Sequence, residues 1–365
     1  MKSFLRLLVF LVLLGHSAIY ARRLQPGFDG NEFRKMFQIS AHQIDTPWVN
    51  TKLPKPGNYV MTYRSPVTGL DNRWDLWVGK DSVAVISVRG TTRSQESWLE
   101  NLYAGMIPAQ GTLNMGNGKL FPYKLAADSG AYVHIGWTIG MASMAPDIVE
   151  KINLQYKNGI RDFIIMGHSQ GGAIAFLLYS YLHYQMGSGI PADIRIKVYG
   201  SAAPKPGNMK FAYDFDFISR EGWAYRFINA ADWVPECPFT VQTLNDLNPG
   251  NPFSDFDQRV KGLKFPTRMI ARHVIRKMNR SAKRAERRFR KYLAHKTGKI
   301  IRKKIPGMPK QKYVHSMAYF PCGCPIVLQP DDNYFELYPD NGKSIFTHHY
   351  FGPYYYLLNT YYPVK

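Results

Sequence analysis

The apolar positions of this chain fall into short uninterrupted runs separated by longer periodic ones. Ser82-Val-Ala-Val-Ile-Ser-Val88 is a β-branched run, and Phe163-Ile-Ile-Met166, Ile194-Arg-Ile-Lys-Val-Tyr199 and Ala224-Tyr-Arg-Phe-Ile-Asn229 repeat the type, with Pro325-Ile-Val-Leu-Gln329 as a later strand candidate. Short continuous apolar runs are what strands need when both faces of their sheet are covered. Between them, Met141 to Tyr156 and Gly171 to Met186 carry helical patterns. Strands alternating with helices predict an α/β fold with a mainly parallel central sheet flanked by helices.

One segment breaks this rhythm. Lys261 to Lys312 holds 20 Lys and Arg against a single acid, Glu286, and so carries nearly all of the formal charge of +21. Ile270, Val274, Met278, Ala282, Ala285, Phe289 and Leu293 recur at three- and four-residue intervals, giving one apolar stripe on a basic helix. Gly298 and Pro306 predict its end. We read residues of about 255–312 as a basic helical insertion.

Composition adds a compartment. With 365 residues and 45% hydrophobic content the chain has enough apolar material for a large core. Lys2 and Arg6, the apolar run Leu7 to Leu14, and the small residues Ala18 and Ala21 predict a signal peptide over 1–21, and hence export, with 22–365 as one domain. Cys237, Cys322 and Cys324 would then sit where a disulfide can persist, but their odd number leaves the pairing open. Cys322-Gly-Cys324 is too close and too solitary for a zinc site.

The chemistry centres on Gly167-His168-Ser169-Gln170-Gly171-Gly172, which follows an apolar strand and opens an apolar helix. That context turns a G-x-S-x-G match into a nucleophile elbow, with Ser169 held above the strand end. Glycines at Gly167 and Gly171 suit a turn where a Cβ would meet the crossing strand and helix. The following helix aims its free N–H groups at a reacting carbonyl, making the backbone N–H of Gln170 a natural oxyanion donor. His168 diverges from Ser169 at so sharp a turn and is read as structural.

These residues resemble the class 3 (fungal-type) lipase family of α/β hydrolases, and further segments match its pattern in order. Val88-Arg-Gly-Thr-Thr92 resembles the family's R-G-[ST] turn, which implies Thr91 as the second oxyanion donor. Ser94 to Leu102 resembles its short lid helix, with Trp98, Leu99 and Leu102 as the apolar face. Val133-His-Ile-Gly-Trp137 resembles the [VH]-H-x-G-[FW] segment, and Tyr199-Gly-Ser-Ala-Ala-Pro204 the F-G-x-P loop with one extra residue.

A serine needs a base, and the base needs an orienting carboxylate; in α/β hydrolases the order is Ser, then acid, then His. Asn229-Ala-Ala-Asp-Trp-Val-Pro235 resembles the N-x-x-D-x-V-P loop and points to Asp232. His315, His348 and His349 follow it. His349 is preferred for its place after the last strand candidate and for Tyr354 five residues on, a spacing shared with several family members; His348 and His315 stay open.

The resemblance implies a serine hydrolase of lipid carboxylic esters that needs no metal or organic cofactor. Its alternatives are a feruloyl-type esterase and a non-catalytic module that binds lipid or anionic surfaces on the same fold. The basic helix suits peripheral contact with an anionic membrane, whereas export and the lack of a recognition motif argue against nucleic acid.

Overall fold

The computed structural model describes residues 24–43, 53–253 and 256–364, so the signal peptide read over 1–21 lies outside the described residues. In chain order the main elements are α1 (Gly30–Ala41), β1 (Tyr59–Arg64), β2 (Trp74–Gly79), β3 (Val83–Val88), α2 (Gln95–Leu102), the short ribbon strands β4 (Met106–Pro108), β5 (Gln110–Asn114), β6 (Leu120–Lys124) and β7 (Tyr132–His134), α3 (Ile135–Lys157), β8 (Asp162–His168), α4 (Gln170–Gln185), β9 (Arg195–Ser201), α5 (Met209–Ile218) and β10 (Ala224–Asn229). Then follow α6 (Phe265–Phe289), α7 (Thr297–Lys304), β11 (Cys324–Leu328), α8 (Asp332–Leu337) and α9 (Phe351–Tyr361).

The central sheet has the order β1-β2-β3-β8-β9-β10-β11. β3, β8, β9, β10 and β11 are mutually parallel, and β1 and β2 add an antiparallel edge. This is the mainly parallel, helix-flanked sheet that the alternation of strands and helices predicts. Its two faces explain the uninterrupted strands. Ala84, Ile86 and Val88 pack with α3 and α4 residues such as Ile139 and Ile174, whereas Val83 and Val85 pack with Phe33 and Phe37 of α1 and Leu357 of α9. Every residue of β3 and β8 is buried because helices cover both sides.

α1 was not anticipated from the sequence. Asp29 caps it by accepting from the N–H groups of Asn31 and Glu32, at 2.7 and 3.0 Å. Its Glu32 then accepts from the buried Lys197 ammonium of β9 at 2.7 Å, which accounts for a lysine inside a core strand.

The basic insertion ends just before Pro306, as expected, but its helix runs through Gly298. α6 runs into a π-helical turn, Arg290–Lys296, and on through α7, so helix passes Gly298 and stops at Lys304. Gly298 is there for close approach, since a Cβ would stand 2.4 Å from the Tyr313 hydroxyl and 2.9 Å from that of Tyr103. The apolar stripe divides along the helix. Ile270, Val274 and Met278 are 65%, 45% and 65% exposed, while Phe289 and Leu293 pack against Met106, Met317 and Tyr319.

Among the described residues no helix is long and apolar enough to cross a membrane. The three thiols are unpaired, with Cys322 buried and Cys324 exposed.

Candidate active site

Parallel neighbours place their carboxyl ends side by side, so the loops after β3, β8 and β9 meet. Val88 is in register with Gly167, and Gly167 with Gly200. The chain turns from β8 into α4 at Ser169, whose φ of 60° and ψ of −132° are unusual for a residue with a side chain. Such a conformation costs on the order of 1–3 kcal/mol and persists where the surroundings impose it. Here a Cβ on Gly167 would stand 2.1 Å from the Gly171 carbonyl oxygen, and one on Gly171 2.5 Å from that of Val88.

Ser169 is the first link of a buried chain of hydrogen bonds. Its hydroxyl donates to His349 Nε2 at 2.8 Å, and His349 Nδ1–H donates to Asp232 Oδ2 at 2.7 Å. The remaining capacity of Asp232 is taken by the Tyr354 hydroxyl on Oδ2, at 2.9 Å, and by the N–H of Val234 on Oδ1, at 3.0 Å. The serine and the carboxylate are almost wholly enclosed and the imidazole is entirely so. The arrangement can pass a proton from hydroxyl to imidazole and hold the resulting cation beside a carboxylate.

Two buried polar residues bring these distant segments together. Asn229, at the end of β10, donates to the His348 carbonyl at 3.0 Å and accepts from the N–H of Ala231 at 3.1 Å, tying the Asp232 loop to the C-terminal segment. His168 donates from Nε2 to the His349 carbonyl at 2.9 Å and accepts from the Ser201 hydroxyl at 3.1 Å. Burial, with the His349 ring close by, pushes its pKa well below the ordinary value, so it serves as a neutral strut.

The other histidines lie elsewhere. His348 points away, accepting from the Tyr334 hydroxyl at 2.8 Å and donating to Asp340 at 3.0 Å. His315 sits by Arg290 on the insertion, 3.3 Å from its guanidinium. His134 stacks on Trp137 at 3.6 Å between ring centres, and burial pushes its pKa down to about 3.

Thr91 and Gln170 line the same cavity as Ser169 and His349, of about 370 Å³. The Thr91 hydroxyl accepts from Asn101 Nδ2 at 3.0 Å, and Asn101 Oδ1 accepts in turn from Trp137 Nε1 at 2.9 Å. Asn101 thus fixes Thr91 from α2, a contact absent from the sequence reading. A polar residue beside Leu102 on an otherwise greasy helix face was the available signal.

The apolar residues of α2 do not share one face. Leu99 turns into the core, while Trp98 and Leu102 stay exposed and line the cavity. α2 is also tied down by polar groups. Ser97 donates to Gln170 Oε1 at 3.0 Å, and the wholly buried Glu100 accepts from Asn72 at 2.9 Å. Among the described residues no cluster of His, Cys, Asp and Glu could hold a metal ion.

Residues 85–242 match the family model for Lipase (class 3). Secreted mono- and diacylglycerol lipase 1 of Fusarium solani is 30% identical over 187 residues, covering 49% of this chain. The chain thus spans about half the length of that relative, 48%. Among solved structures, Lip2 lipase from Yarrowia lipolytica shares 20% identity with a TM-score of 0.43, over 59% of this chain and 77% of that one. The Rhizomucor miehei triacylglyceride lipase shares 20% identity with a TM-score of 0.42, over 57% and 74% respectively.

Proposed function

We propose, from the premise that residues 85–242 are a class 3 lipase segment, that this chain is an exported serine hydrolase that cleaves lipid carboxylic esters at Ser169. The observation that carries the reading is the unbroken series of hydrogen bonds Ser169–His349–Asp232, with Ser169 and His349 lining a largely apolar cavity.

In this reading His349 Nε2 takes the Ser169 proton as Oγ attacks the ester carbonyl. Asp232 holds the ring in the tautomer that leaves Nε2 free and stabilises the imidazolium that forms. Negative charge on the carbonyl oxygen is received by the backbone N–H groups of Thr91 and Gln170, the latter at the positive end of α4. His349 returns the proton to the leaving alcohol, and water then attacks the acyl-enzyme with His349 again as base. The acyl chain lies among Trp98, Leu102, Trp233 and Phe346, which give it an apolar bed.

Two finer features belong to the proposal. α2 occupies the position of a lid, and its opening would break the Ser97–Gln170 and Glu100–Asn72 contacts. The exposed stripe Ile270, Val274 and Met278, ringed by Lys and Arg, is the surface that docks on an anionic lipid layer.

The test is turnover of an ester panel, from short soluble acyl chains to emulsified glycerides and a feruloyl ester, by the chain and its Ser169→Ala variant. We expect long-chain lipid esters to be preferred and the variant to lose about 10⁴-fold or more in kcat. A variant within tenfold of the parent, or turnover confined to the feruloyl ester, contradicts the reading.

A further inference from the structure

The cavity beside Ser169 has a wall that does not come from the lipase-matching segment. Leu293 lines it together with Trp98, Leu102, Trp233, Phe239 and Phe346. Leu293 belongs to the π-helical turn Arg290–Lys296 of the basic insertion, more than 50 residues beyond the matched region's last residue, 242. Wide turns of this kind displace a side chain from the stripe that a regular helix would continue. The turn is closed by the Thr297 hydroxyl donating to the Tyr292 carbonyl at 2.9 Å.

The turn is held from behind. A Cβ on Gly105 would stand 2.6 Å from Ala294 Cβ, so the residue next to Leu293 sits directly on the main chain below. Tyr103 and Tyr313 hydroxyls pair at 2.7 Å beneath Gly298, and Lys304 reaches Glu96 of α2 at 2.8 Å. On the approach to the turn, the Phe289 ring lies 6.4 Å from that of Phe239, another wall of the cavity. Leu293 itself is half-buried, packed on Met106, Met317 and Tyr319 on one side and facing the cavity with the rest.

We propose that Leu293, carried on this π-helical turn, is a specificity-determining residue that closes one wall of the acyl pocket and sets the length and bulk of the fatty acyl chain accepted. The proposal rests on the reading of Ser169 as the ester-hydrolysing residue. It makes the substrate class esters of extended fatty acids, whose distal carbons lie against the insertion. It also gives the insertion two tasks at its two ends, an exposed basic stripe at Ile270 to Met278 and a pocket wall at Leu293.

The experiment compares the full chain with Leu293→Trp, Leu293→Ala and the near-isosteric Leu293→Met on p-nitrophenyl butyrate and p-nitrophenyl laurate, with fluorophosphonate labelling of Ser169 alongside. Bulk at this position should lower the laurate-to-butyrate ratio of kcat/KM about tenfold, mainly through KM, as expected for a change of a few carbons in an apolar pocket. Leu293→Ala should move the ratio the opposite way, and Leu293→Met should stay within about twofold of the parent. Labelling of Ser169 in each variant identifies those that remain folded and reactive, whatever its rate. Ratios unchanged in both Trp and Ala variants that label at Ser169 overturn the proposal. Should Leu293→Trp fail to fold, an unchanged ratio in a Leu293→Ala variant that still labels at Ser169 overturns the proposal. Failure of the parent chain to label would overturn instead the reading of Ser169, and this proposal with it.

Discussion

At the scale of single residues, the site is organised by groups that the motif does not mention. The elbow could be read from Gly167 to Gly172 because its glycines answer to collisions within a few residues, whereas the histidine could only be ranked, with His349 preferred and His348 and His315 left open. His348 and His349 are adjacent in sequence, and their partners far along the chain, Asp232 for His349 and Tyr334 and Asp340 for His348, together with carbonyl contacts to His168 and Asn229, set which ring faces Ser169. Glu100 was equally invisible, since an acid on a short surface helix reads as solvated. Burial, offset only in part by the side chains of Asn72 and Gln170, holds its carboxyl well above the ordinary value of 4.5. The folded chain therefore keeps a proton that the unfolded chain releases. The stabilisation this proton gives is whole below about pH 4.5 and is lost as pH rises through the raised value. Glu100→Gln should accordingly gain in melting temperature relative to the parent as pH is taken from 4.5 to 8. Each tenfold difference in proton affinity between the two states is worth about 1.4 kcal/mol. Thermal melts across that range check it, and a parent–variant difference independent of pH counts against a neutral buried carboxyl.

At the scale of elements, the inner strands β3, β8, β9 and β10 were legible because helices cover both faces of the sheet there and leave few polar positions to blur the runs, whereas the exposed edge strand β1 and its neighbour β2 were not read. α9 was not, because Gly352 and Pro353 stand in its first turn, where a missing N–H costs nothing and a sequence reading sees only a breaker. The π-helical turn was hidden for a related reason: Leu293 falls on the periodic stripe, and nothing in the spacing marks the extra residue in the turn. This changes how the basic insertion should be probed, because removing it whole would also remove a wall of the cavity. Serine at Ile270, Val274 and Met278 leaves that wall intact. Full burial of such side chains is worth about 1.5–3 kcal/mol each, so even shallow insertion of three predicts at least about tenfold weaker binding to phosphatidylserine vesicles. Hydrolysis of a soluble short-chain ester should stay within about twofold. Vesicle sedimentation with equal binding by both chains would count against a docking role for the stripe.

At the scale of the whole molecule, charge and chemistry are segregated. The insertion carries nearly all of the +21, and the sheet carries the residues that meet around Ser169. The lipase-matching region, 85–242, includes Thr91, Ser169, Gln170 and Asp232 but stops more than 100 residues before His349. The middle link of the hydrogen-bonded series is therefore supplied by the C-terminal segment, which packs on one face of the sheet and is tied to it through Asn229, His168 and Asp232. The most direct measurement is the rate of fluorophosphonate labelling of the full chain, with the modified peptide identified by mass spectrometry. The account predicts labelling on Ser169 that His349→Ala slows by about 10³-fold or more and His348→Ala leaves within tenfold. Labelling of another residue, or equal rates in the parent and His349→Ala, would contradict it.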